Sequence, residues 1–184
     1  VTYVIVCGAA FLASGLTLFA GFGLGTLLMP VVALFFPLEV AIAMTAVVHL
    51  ANNAFKLALL GRRADGAVVM RFGGPAVGAA FLGAGLLAWL ERVPPLFTYS
   101  AFGREIAVSL LGLVIGALIV AFVAVELSPR FARLAIERRW LAVGGVLSGF
   151  FGGLSGHQGA FRSMFLLKAG LDKEAFVATG VVIA

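Results

Sequence analysis

Ser148-Gly149-Phe150-Phe151-Gly152-Gly153-Leu154-Ser155-Gly156-His157-Gln158-Gly159 is the stretch that decides the fold. It lies inside an apolar run over 141–167, and its glycines interrupt any helix laid through that run. Glycine costs a helix interior about 1 kcal/mol relative to alanine, so a cluster of glycines marks a break. An earlier run, 3–36, is broken in the same way by Gly21-Phe22-Gly23-Leu24-Gly25. Its 34 residues would measure roughly 51 Å as a straight helix, whereas the hydrocarbon core of a bilayer is about 30 Å thick. Each run is therefore either a kinked oblique span or a hairpin that enters the membrane and turns back.

Working outward, the other apolar segments are 40–60, 69–90, 106–127 and 175–184. Of 184 residues, 62% are hydrophobic and 11% charged, and mean hydropathy is +1.16. A soluble domain carries about 25% charged residues. Runs this long cross a bilayer as helices, and the scarcity of period-two alternation argues against a β-barrel. The expected fold class is an all-α polytopic membrane protein. Arg62, Arg63 and Asp65 close the second segment, and Glu91, Arg92 and Pro94-Pro95 the third. Pro129 to Arg139 separates the fourth from the fifth, as a short interfacial helix with Phe131, Leu134 and Ile136 on its apolar side. The first 15 residues lack a basic leader and run on into apolar chain, so they read as structural. The chain begins at Val1 and ends at Ala184 inside an apolar run, so further C-terminal chain is expected. The lone Cys7 forms no internal disulfide and is expected to pack in a helix.

A shift of 134 positions lays Ser14-Gly15 on Ser148-Gly149, Gly25 on Gly159, Ala41 on Ala175, Thr45 on Thr179 and Val47-Val48 on Val181-Val182. That is 7 identities over 35 ungapped positions, with the glycine break in the same place in both copies. Positive charge then chooses between the two readings. Loops 61–71 and 129–139 fall on one side and hold seven Arg, so that side should be cytoplasmic. If the broken runs are spans, basic residues divide seven inside and four outside. If they are hairpins, the division is nine and two, with Arg92 and Arg104 outside and Lys56 and Arg162 within the membrane. The hairpin reading is preferred. Three full spans then separate the copies, an odd number, which inverts one relative to the other, as in many secondary transporters. The expected organisation is a first repeat over 1–128, a basic cytoplasmic linker over 129–140 and the start of a second repeat over 141–184.

Few polar residues fall within the apolar segments. Thr45, His49, Asn52, Asn53 and Lys56 share one face of the second segment, at spacings of 4, 7, 8 and 11 from Thr45. Lipid penalises each of them, so the face should look into the protein or a water-filled path. The plainer alternatives are interhelical hydrogen bonds and a Lys56 that snorkels to the interface. In the second broken run, Arg162 sits about one turn past the break. The half-helix beginning at Gly159 presents free N–H groups and the positive end of its dipole there. With His157 and Gln158 these donors make an anion site, since guanidinium forks bind oxyanions in bidentate fashion. The alternative is a structural Arg paired with an acid. All acids, Glu39, Asp65, Glu91, Glu105, Glu126, Glu137, Asp172 and Glu174, lie near segment ends. The first copy has Leu28 where the second has Arg162, and offers Thr26 and backbone N–H groups alone. Expected substrate-binding residues are thus Arg162, His157, Gln158, Gly159, His49, Asn52, Asn53, Lys56 and Thr45.

Gly74-xxx-Gly78 and Gly112-xxx-Gly116 read as helix-packing faces. Gly21-x-Gly23-x-Gly25 follows no strand and lacks a P-loop Lys, so nucleotide binding is discounted. Two His and one Cys, far apart, give no metal site, and no cofactor or catalytic set is expected. The pI near 10.2 reflects Arg facing anionic lipid, with no nucleic-acid partner.

The glycine-broken run ending in Gly25 to Pro30, repeated as Ser148 to Gly159, resembles the TauE/SafE family of sulfite and organosulfonate exporters. The stretch 14–56 resembles the family's first conserved half and 144–184 its second. The second copy has Met164 where the family usually has proline, and carries His157-Gln158 in its glycine stretch. The resemblance implies seven or eight helices, about two of them beyond Ala184. It implies a multi-pass inner or plasma membrane location and passage of sulfite or a small sulfonate such as sulfoacetate. A secondary transporter that binds this anion near the midplane is expected, with an anion channel lacking alternating access as the alternative. An intramembrane enzyme would need a reactive set that the sequence does not offer. The partners are the anion and the bilayer, with a homodimer left open.

Overall fold

The computed structural model describes residues 2–20, 24–101, 104–129, 136–156 and 159–184. Among these, the run 3–36 forms α1 (Thr2–Ala20) and α2 (Leu24–Ala33). α3 is Leu38–Leu60 and α4 is Gly66–Glu91. A β-hairpin follows, β1 (Phe97–Ala101) and β2 (Arg104–Val108). Then come α5 (Leu110–Leu127), α6 (Leu141–Ser155), α7 (Gly159–Leu166) and α8 (Lys173–Ile183). Three helices are capped by the residue types that favour the position. Asp65 Oδ1 accepts from Val68 N at 3.0 Å, Ser109 Oγ from Gly112 N at 3.0 Å and Asp172 Oδ1 from Ala175 N at 2.7 Å.

The two glycine-broken runs both turn back on themselves. The rings of Tyr3 and Phe36 are 6.3 Å apart, although a straight helix would hold those residues roughly 50 Å apart. α1 and α2 therefore lie side by side, closing Val6, Ala13, Leu24, Leu28 and Val32 against Ala41 of α3. In the second run Gly156 ends α6 with φ 74°, a left-handed conformation that only glycine enters without penalty. Phe165, near the end of α7, then covers Gly144, near the start of α6. The N–H of Ile136 donates to the carbonyl of Met164 at 3.0 Å. Under the shift of 134, the first residue of α7 falls on the second of α2, and the first of α8 on the second of α3.

Two stretches, Leu38–Arg63 and Gly66–Glu91, are long and apolar enough to cross a membrane, with 26 residues each, or roughly 39 Å at 1.5 Å per residue. α4 contains a π turn at Val69–Gly73. Pro75 follows it and has no N–H to give the preceding turn, and the wider turn absorbs that gap. The expected span 106–127 is shorter than read, and the fold is not purely helical. Residues 104–108 pair with 97–101 as a strand, and the Ser109 cap sets the start of α5 at Leu110. Ile106-Ala107-Val108 only look continuous with the helix because they are apolar.

α4 and α6 make the tightest packing. Gly145, Gly149 and Gly153, four residues apart, lie against the carbonyls of Phe72, Ala76 and Ala80, also four apart. Gly83 in turn faces the Phe150 carbonyl. Without side chains there, the two backbones approach as closely as in membrane helix pairs built on small residues. The expected packing faces, Gly74-xxx-Gly78 and Gly112-xxx-Gly116, make no such contact among the described residues. A Cβ at Gly74, Gly78 or Gly116 would meet nothing within 4 Å, and one at Gly112 would meet only its own Ser109 cap. Residues 74 and 76 differ by about 200° around a helix, so 74 and 78 point away from the face that α6 uses. Cys7, expected to pack, is exposed.

Met29, Ile42, Leu90, Leu111, Ile115 and Leu154 join the first hairpin, α3, α4, α5 and α6 in one core. Phe122 of α5 closes on the second hairpin, 5.6 Å from Phe151 and 5.6 Å from Phe161, whose rings stack at 5.4 Å. Residues 130–135, the centre of the expected interfacial helix, lie outside the described residues.

Candidate functional site

The polar face of α3 meets the first hairpin at the end of α1. Lys56 is buried, 6% exposed, and its Nζ donates to the carbonyl of Thr17 at 3.0 Å. That carbonyl lies in the last turn of α1, where helix carbonyls lack intrahelical partners and the dipole favours a cation. Asn52 Nδ2 donates to Thr17 Oγ1 at 3.3 Å, and the Thr17 hydroxyl donates to the Ser14 carbonyl at 3.0 Å. Two residues of α3 thus hold the broken end of α1. A snorkelling Lys56 is excluded by its burial and its inward bond. The ion pairs described, Arg63 with Glu174 and Arg139 with Glu137, are both exposed and do not involve Lys56.

His49, about two turns before Lys56, is paired with Asn53 at 2.7 Å between Nδ1 and the amide nitrogen. With the amide as donor, Nδ1 accepts and the ring proton sits on Nε2. Arg162, in the first turn of α7, is 5% exposed. The α8 backbone lies beside its guanidinium, because a Cβ at Gly180 would be 3.9 Å from Nε. Asn52 and Lys56 thus meet α1, His49 pairs with Asn53 along α3, and Arg162 is buried beside α8.

The remaining expected residues divide. Gly159 opens α7, so its N–H is among the free donors of that helix end. Thr45 is buried on the same α3 face, and its hydroxyl has no hydrogen-bond partner among the described residues. Its counterpart Thr179 accepts from the N–H of Asp65 at 2.9 Å. His157 and Gln158 lie outside the described residues. Among the described residues no group of three His, Cys, Asp or Glu is placed to hold a metal.

Thr17 is the site residue that sequence reading missed. Its signal is present, a Ser14-xx-Thr17 pair just before the glycine break, but short hydroxyl residues in apolar helices usually bond their own backbone. Thr17→Val should remove the Asn52 bond while keeping the carbonyl that Lys56 uses. The expected result is a loss of about 1 kcal/mol in detergent unfolding with affinity for small oxyanions unchanged. A large drop in affinity would make Thr17 a ligand and not a brace.

Two buried basic side chains, an imidazole and a helix N-terminus are groups that can hold a small anion. A family model described as "Sulfite exporter TauE/SafE" matches residues 6–184. Neither the curated proteins nor the solved structures gave a match.

Proposed function

From the membership of this chain in the TauE/SafE family of sulfite exporters, a family of membrane transporters, we propose that it carries sulfite or a short organosulfonate such as sulfoacetate. The observation that carries the reading is the burial of two basic side chains beside helix breaks, Lys56 on the end of α1 and Arg162 in the first turn of α7. Two like charges in a low-dielectric interior repel, and an oxyanion between them turns repulsion into attraction on both sides. Arg162 would fork onto two sulfur oxygens, and the first N–H groups of α7, from Gly159 on, would meet the same charge. His49 Nε2–H would donate from the α3 side. Asn53 orients that ring, and Asn52 and Lys56 keep the end of α1 in place. His157, Gln158 and Thr45 would complete the wall.

The architecture proposed around this site is a pair of inverted repeats, 1–128 and the part of the second within 141–184, joined by a basic cytoplasmic linker at 129–140. Each repeat would contribute a re-entrant hairpin, α1–α2 and α6–α7, and the breaks would meet near the midplane of an inner or plasma membrane that the chain crosses several times. The matching order of elements in 2–60 and 141–183 and the distribution of Arg and Lys support this. The asymmetry of Leu28 against Arg162 makes one hairpin the charged partner and the other the apolar one. The chain works as a transporter and not as an enzyme.

Carrier and channel differ in one measurement. Proteoliposomes loaded with labelled sulfite should release it faster when unlabelled sulfite is added outside, and the rate should saturate. Release that rises linearly with gradient and ignores external sulfite would assign the channel.

A further inference from the structure

The connection between α4 and α5 holds the only sheet among the described residues. Its register pairs Phe97 with Val108, Thr98 with Ala107, Tyr99 with Ile106 and Ser100 with Glu105. Strand alternation then sorts the side chains. Phe97, Tyr99, Ile106 and Val108 fall on one face, and Thr98, Ser100, Glu105 and Ala107 on the other. The apolar face is open, with Phe97 57% and Tyr99 47% exposed and their rings 6.5 Å apart on one another.

An isolated two-stranded hairpin is marginal in water, so this one needs a surface beneath its apolar face. Chain continuity indicates which surface. The hairpin hangs from the end of a 26-residue helix apolar enough to cross a membrane, and leads through the Ser109 cap into the apolar α5. Trp89, in the last turn of α4, is 58% exposed. Aromatic side chains with one polar edge gather at the level of lipid headgroups. We propose that β1–β2 lies flat on the bilayer surface at the end of α4 remote from Arg62 and Arg63. Phe97, Tyr99, Ile106 and Val108 sit among the headgroups, and Thr98, Ser100 and Glu105 face water. The partner is the lipid surface itself, and the anchor fixes the depth at which α4 enters it.

The test uses single cysteines in a Cys7→Ser background, Tyr99→Cys, Ile106→Cys, Thr98→Cys and Ser100→Cys, each carrying an environment-sensitive NBD label. The protein is reconstituted in phosphatidylcholine–phosphatidylglycerol vesicles. Labels at 99 and 106 should show blue-shifted emission that brominated acyl chains quench, and labels at 98 and 100 water-like emission without quenching. Ile106→Cys leaves both aromatic rings in place, so the test survives a misfolded Tyr99 variant. Water-like emission at every position, or equal quenching on both faces, overturns the proposal. So does a shielded, unquenched label at 99 or 106 that cross-links to a second copy, which would make the cover a protein face.

Discussion

Gly149→Ala is expected to lower the stability of the folded protein in detergent by about 3 kcal/mol, one of the largest effects of any single methyl group in this chain. The new Cβ would fall on the backbone carbonyl of Ala76. A backbone atom in a helix cannot rotate aside as a side chain can, so α4 and α6 must separate along their whole contact. Separation also loosens the neighbouring close approaches at Gly145 and Gly153, together with the weak Cα–H···O contacts that such spacing favours. The control lies 134 positions earlier in the chain. Gly15 is the counterpart of Gly149 under the shift of 134, and a Cβ there meets nothing within 4 Å. Gly15→Ala should raise stability by up to about 1 kcal/mol, the ordinary gain from replacing glycine inside a helix. Gly78→Ala should do likewise. Chemical unfolding of the three variants in one detergent separates them. Equal destabilisation at 149 and 15 would contradict the packing described.

Arg162→Leu is the second large effect, and it falls on binding. Leucine stands 134 positions earlier in the chain, where Leu28 is buried at 1% exposure. The substitution therefore tests charge, with an apolar side chain that the hairpin accommodates elsewhere. Hydrogen bonds to charged groups contribute about 1.5–3 kcal/mol each, and a bidentate fork makes two. The expected fall in sulfite affinity is at least about a hundredfold, at 1.4 kcal/mol per factor of ten. Arg162→Lys keeps the charge and loses the fork, so it should lie between the two. A sulfite-dependent thermal shift reads all three proteins, and an undiminished shift in Arg162→Leu would remove Arg162 from the site.

Much of this was legible in the sequence because membrane chains carry little noise where polarity is concerned. The five polar residues of α3 stood out from an apolar background; two of them, Asn52 and Lys56, bond to α1, and His49 and Asn53 bond to each other. The glycine clusters marked the breaks, and the rings of Tyr3 and Phe36 show the first break to be a reversal. What the sequence hid was directional. Every glycine in an apolar helix has the same composition signal, and only the azimuth of the partner helix decides that 145, 149 and 153 pack while 74, 78 and 116 do not. The β-hairpin was lost because Ile106, Ala107 and Val108 merge with the apolar run of α5, and five residues of alternation are too few to stand against it. The ring cluster of Phe122, Phe151 and Phe161 is three apolar residues among 17 Phe, and nothing local distinguishes them.

The central claim is that the buried cations at the helix breaks hold the anion that the protein moves. Uptake of labelled sulfite into proteoliposomes, measured side by side for the natural chain and Arg162→Leu at matched, folded protein density, tests it most directly. Saturable uptake by the natural chain and background uptake by Arg162→Leu is the predicted result. Equal uptake by both, or none by the natural chain while sulfate or chloride passes freely, would contradict it.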